Sequence, residues 1–110
     1  MRRGKECAQA AHASLAFLSR QLESGNNKVY LTDAQKQWLN SSFAKVCLQV
    51  SSEEELMEIA QCAKDNMVEC HVVTDSGKTE FNGVPTVTCL ALGPDFNDNI
   101  DKVTGYLSLY

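Results

Sequence analysis

Residues 45–74 constrain the fold more than any other part of this chain. Two short β-rich runs, KVCLQV at 45–50 and ECHVVT at 69–74, flank a stretch in which Ser52 and Glu55 have capping-box spacing. That signature opens a helix over 52–66, with Leu56, Ile59, Ala60 and Ala63 turned inward. A strand, a helix of that length and a second strand have the span of a crossover. Crossovers favour parallel pairing, directly or through an intervening strand. The fold class is therefore α/β.

The rest of the chain fits around this unit. Residues 4–25 read as a helix, with Ala8, Ala11, Leu15, Leu18 and Leu22 recurring at steps of three and four on one face. That face is expected to lie inward, and Ser24-Gly25-Asn26-Asn27 supplies the stop. Thr32 and Gln35 form a second capping box, opening a short helix through Trp38. After the run at 69–74 comes a polar turn, Asp75-Ser76-Gly77-Lys78-Thr79, then a strand over 86–92 (TVTCLAL), a short helix over 95–104 and an extended tail over 107–110. The link from Asp75 to Pro85 suits an antiparallel return, so the sheet is expected to be mixed. With no linker or repeat, the 110 residues are expected to form a single domain.

Charge and cysteine content narrow the function. A net charge of -4 is a weak electrostatic footprint for a protein that relies on many phosphate contacts. Five widely spaced cysteines with no CxxC pair suggest reduced thiols filling a core, in a cytoplasmic setting. No apolar run approaches the ~20 residues of a membrane helix, so no membrane partner is expected. Gly77-Lys78-Thr79 resembles the end of a phosphate-binding loop, but Val72 stands where the first glycine is required. Neither His12 nor the adjacent Cys70 and His71 has zinc-ligand spacing, so no metal is expected.

Polar residues on otherwise apolar elements are more informative. Lys5, Gln9 and His12 share one helix face, which alone would read as a solvated face. Asp75 ends a strand, where α/β sheets place ligands, though an Asp before Gly is ordinarily a turn residue. Thr88 lies among apolar strand residues, where β propensity explains it.

Taken together these residues resemble the peptidyl-tRNA hydrolase 2 family. Residues 4–13 (GKECAQAAHA) are similar to its G-K-x-x-A-Q-x-x-H-A opening. Lys36-Gln37-Trp38, the Ser52-Glu53-Glu54 helix start, Asp75-Ser76-Gly77-Lys78-Thr79-Glu80, residues 88–94 and Asp101-Lys102-Val103-Thr104-Gly105 follow in the family's order. The resemblance implies a three-layer α/β/α sandwich over a small mixed four-stranded sheet. It also implies hydrolysis of the ester joining peptide to tRNA, without a cofactor. Carried over by position, Lys5, Gln9, Asp75, Thr79 and Thr88 stand at catalytic positions; Lys78, Arg2, Arg3 and His12 are expected to bind tRNA, His12 in a supporting role. The alternative is a binding or interaction protein on the same scaffold.

The chain also departs from the family's pattern. Met1-Arg2-Arg3-Gly4-Lys5 aligns with an internal Met-Gly-Lys-Gly-Lys, so the family's first, central strand is expected to be missing. An internal start, a strand borrowed in a homodimer, and a degenerate relative are the competing accounts. Lys78 stands for arginine, Glu80 for glutamine, Tyr106 for histidine, Ser108 for lysine and Met67 for glycine, with Asn66 as a candidate left-handed cap.

Overall fold

The computed structural model describes residues 1–23, 25–77 and 82–110. The element order is α1 (Arg3–Leu22), α2 (Asp33–Asn40), α3 (Glu53–Asp65), β1 (Cys70–Asp75), β2 (Thr86–Leu92) and α4 (Asn97–Thr104). The Thr32 capping box forms in full: its hydroxyl accepts from the Gln35 N–H, and the Gln35 side chain accepts from the Thr32 N–H. At α3 only half of the expected box forms. Ser52 accepts from the Glu55 N–H, whereas the Glu55 carboxylate takes the Ser51 hydroxyl.

The end of α3 corrects the expected cap. Asn66 has φ -98°, and the left-handed residue is Met67, with φ +58°. The Val68 N–H donates to the Ala63 carbonyl and the Met67 N–H to Lys64, the bond pair of a Schellman ending. Asn66 helps differently, donating from its side chain to the Cys62 carbonyl.

β1 and β2 form a two-stranded antiparallel sheet. The parallel pairing expected for residues 45–50 is not found among the described residues, where that segment makes only an isolated antiparallel bridge, Leu48 to Leu109. The bonds from Gln49 N–H to Ser108 and from Tyr110 N–H to Cys47 hold it to the tail instead. Upstream, Phe43 takes a positive φ of 50°, and Lys45 lies 3.2 Å from the Phe43 ring centre, so the chain enters this segment through a turn. With no strand alongside it, a β-rich run has no ladder to join.

A cluster of Ile59, Ala63, Val68 and Val103 packs with Cys70, Leu90, Leu92 and Ile100, joining α3 and α4 to one face of the sheet. On the other face lies α1, with a buried side that corrects the sequence reading. Gln9, Ala13, Ala16 and Phe17 are buried, whereas Ala8, Ala11, Leu15 and Leu22 are exposed. The small Ala13 and Ala16 allow the helix to approach closely, and the polar Gln9 is tolerated there because both ends of its amide are bonded. Phe17 meets Trp38 edge-on at 6.0 Å, docking α2 on α1.

Candidate active site

The register of the sheet shifts at Val73/Thr74: Val73 pairs with Cys89 but Thr74 pairs with Val87. A bulge of this kind places an extra residue on one strand and re-aims its side chain. Here the extra residue is Thr88. Neighbours in a regular strand point to opposite faces, yet Thr88 and Cys89 both meet Gln9 of α1, the hydroxyl at Oε1 and the thiol at the backbone carbonyl.

α1 brings the remaining groups. Lys5 Nζ lies 2.7 Å from Asp75 Oδ1 at the carboxyl end of β1. Gln9 Nε2 donates to the same oxygen at 3.4 Å, and the Gly77 N–H donates to Oδ2 at 2.8 Å. Thr88 donates to Gln9 Oε1 at 2.6 Å, which leaves the amide nitrogen facing Asp75. Gly77 has φ +84°, and a Cβ there would stand 2.2 Å from the Val84 carbonyl oxygen, so only glycine fits beside Asp75.

This wiring sets the charge state of Asp75. The Lys5 hydrogen bond, followed by the Gly77 N–H, holds its carboxyl below the usual carboxylate range; burial opposes them, and the charges of Lys5 and His12 assist. Asp75 is therefore ionised near neutrality, with both oxygens fixed. The thiols behave differently, since burial pushes Cys89 and Cys70 up and keeps them protonated.

Of the residues singled out from the sequence, the structure brings together Lys5, Gln9, Asp75 and Thr88, with the exposed His12 one helical turn beyond Gln9. Arg2 is the N-cap residue of α1 and Arg3 its first residue, both exposed. Thr79, Lys78 and Glu80 lie outside the described residues. Sequence reasoning missed two further groups. Gly77 was legible only as a turn glycine, and Cys89 only as core filler.

The site thus defines an α/β protein with a buried carboxylate paired to a half-buried ammonium at a strand end, flanked by neutral hydrogen-bonding groups. The family model described as "Peptidyl-tRNA hydrolase PTH2" matches residues 1–110, and the chain belongs to that family. It is similar to the peptidyl-tRNA hydrolase of Haloquadratum walsbyi, 40% identical over the whole chain and 89% of the relative. It is 41% identical to that of Nanoarchaeum equitans over 98% of this chain and 88% of the relative. A probable peptidyl-tRNA hydrolase 2 of Dictyostelium discoideum is 38% identical over the whole chain and 49% of its own length.

Proposed function

We propose that this chain hydrolyses the ester bond of peptidyl-tRNA, releasing peptide and free tRNA. The observation that carries the reading is the Lys5–Asp75 pair held by Gln9 and Gly77, on a chain matched along its whole length by the family model. Ester hydrolysis needs a positioned water and a positive group near the developing oxyanion. Asp75 retains lone pairs to orient a water, and Lys5 supplies the charge. The lowered pKa makes Asp75 a weak base at neutral pH, which favours orienting the water over removing its proton outright. Thr88 acts through Gln9, keeping its amide turned toward Asp75. Thr79 is proposed as a further catalytic hydroxyl, with Lys78, Arg2, Arg3 and His12 on the tRNA side. The binding-protein alternative gains no support from relatives that all carry the hydrolase name.

The finer architecture belongs to the same proposal: one domain, a three-layer sandwich, and a further strand between β2 and residues 47–50. In its favour, residues 47–49 bond only to the tail among the described backbone pairs. A homodimer and a cytoplasmic location complete the reading. Turnover of purified peptidyl-tRNA, with a salt titration, tests the function. Absence of cleavage by the folded protein with its sheet completed would refute it, and a steep fall with salt would reveal the phosphate contacts.

A further inference from the structure

Lys5 and Arg20 hold α1 to the same strand from opposite ends of the helix. They stand fifteen residues apart, roughly 22 Å along the axis. Lys5 meets Asp75 at the end of β1, whereas Arg20 donates from Nη2 to the Val72 carbonyl at 2.6 Å and from Nη1 to His71 Nδ1 at 3.1 Å. Behind Arg20 runs a chain of side-chain bonds in which each member fixes the next. The Gln35 oxygen is taken by the Thr32 N–H, so its Nε2 is turned to Glu69 Oε1, to which it donates at 3.0 Å. The other Glu69 oxygen lies 2.6 Å from His71 Nε2. A guanidinium can only donate and a carboxylate can only accept. His71 therefore carries its proton on Nε2 and keeps Nδ1 bare for Arg20. We infer that Arg20 and His71 are positioning residues for the Lys5–Gln9–Asp75 site, and that protonation of His71 releases their hold. The inference rests on the hydrolase reading above.

The link to the site is its narrow tolerance. The Gln9–Asp75 bond is 3.4 Å long, at the limit of a hydrogen bond, so a small displacement of α1 breaks it. A helix released at Arg20 rocks about its attachment at Lys5 and carries Gln9 with it. The switch is the missing place for a second imidazole proton. An Nδ1–H would face the Arg20 N–H, donor against donor, with two positive charges side by side. The groups facing the ring are Arg20 from α1, Glu69 from the segment before β1 and, through Glu69, the neutral Gln35 of α2; β2 sets the apolar Ala91 opposite His71. The adjacent Cys70 is kept protonated by burial and adds no charge. Protonation therefore strengthens the bond to Glu69 and gives up the one to Arg20. Arg20 and Glu69 are exposed, so water receives the freed guanidinium, and α1 stays docked through Phe17 and Trp38. The result is a loosened site on a folded protein.

Cleavage of peptidyl-tRNA from about pH 8 down to about pH 5, the range in which imidazoles change charge, tests the scheme. Wild-type kcat should fall about fivefold toward acid with KM little changed, the scale of one lost hydrogen bond. Arg20→Met should begin at that lower kcat and show no further acid fall. His71→Asn places an amide oxygen near the Nδ1 position, where it accepts from Arg20 without titrating. It should keep most of the neutral-pH rate and lose the acid fall. Wild-type kcat in Arg20→Met, or an acid fall that survives His71→Asn, would overturn the inference. NMR supplies a readout that needs no turnover. The His71 ring should show a bare Nδ1 at neutral pH, and the Gln9 side-chain amide should shift as the ring titrates. Any shift that persists in His71→Asn belongs to His12, one turn beyond Gln9. A Gln9 amide that responds alike in both proteins would also overturn the inference. Absence of cleavage by the wild type would refute the hydrolase reading instead, with the Gln9 response still deciding whether His71 acts on the site.

Discussion

Thr88 donates its hydroxyl to Gln9 Oε1 at 2.6 Å across 79 positions of sequence, and this bond orients the amide that faces Asp75. Removing the hydroxyl with Thr88→Val keeps shape and β propensity but leaves a buried amide oxygen short of a donor. Turnover should fall about fivefold, in line with a lost hydrogen bond of ~1 kcal/mol, with little change in KM. Thr88→Ser should restore most of it. Wild-type kcat in the valine variant would remove Thr88 from the positioning scheme.

Lys5 and Asp75 carry larger expectations. Asp75→Asn and Lys5→Ala should each lower kcat/KM by about 10²-fold or more, the scale of a group acting in the transition state. The double variant should be scarcely worse than either single one, because the two act as a unit. Additive losses measured in single-turnover assays would separate their roles.

The depressed pKa of Asp75 also has a sign. A carboxyl held low in the folded protein contributes stability above its unfolded value, about 3.9, which is lost as pH falls through the folded value. Lys5→Gln removes the first cause of the depression, so the Asp75 midpoint should rise and acid unfolding should begin at higher pH. Carbon-detected NMR of the side-chain carboxyl reads this directly. An unmoved midpoint would mean that Lys5 does not set the charge of Asp75.

Met67 offers a stability test remote from the site. It holds φ +58° while 92% exposed, so its side chain gains little and its backbone is strained. Met67→Gly should stabilise the fold by about 1 kcal/mol, the scale of the left-handed penalty for a residue with a Cβ. Denaturant melts at unchanged m-value would show it. An unchanged or lower midpoint would mean that glycine's extra freedom in the unfolded chain offsets the relief.

The thiols divide by exposure. Cys7 and Cys47 should label quickly with a thiol reagent at neutral pH, whereas the half-buried Cys70 and Cys89, pushed up by burial, should label more slowly. Rapid modification of Cys89 in the native protein would argue against its place beneath Gln9.

The elements were legible where local chemistry decided them. The Thr32 box, the inward face of α3 and the hairpin strands follow from cap spacing and periodicity. The orientation of α1 was not legible. Its leucines mark the more hydrophobic face, but a helix is seated by what lies opposite, and here that is a site which accepts Gln9 and needs alanines for close approach. Thr88 was ambiguous for a related reason: alternation assigns a face only until a bulge breaks it. Residues 45–50 have strand chemistry without a ladder, and pairing is never a property of one segment.

One contact at the far end of α1 reaches beyond its own helix. The Gly93 N–H bond to Glu69 sets the phase of the hairpin, which turns the Val72 carbonyl away from β2 toward the open side of β1. Arg20 Nη2 donates to that carbonyl at 2.6 Å, while Nη1 meets His71. An exposed strand edge is a template for runaway sheet growth, and a charged side chain lying across it is an effective barrier. The guanidinium that fastens α1 therefore also lies across the edge of β1, at the carbonyl a strand from a neighbouring molecule would need for pairing.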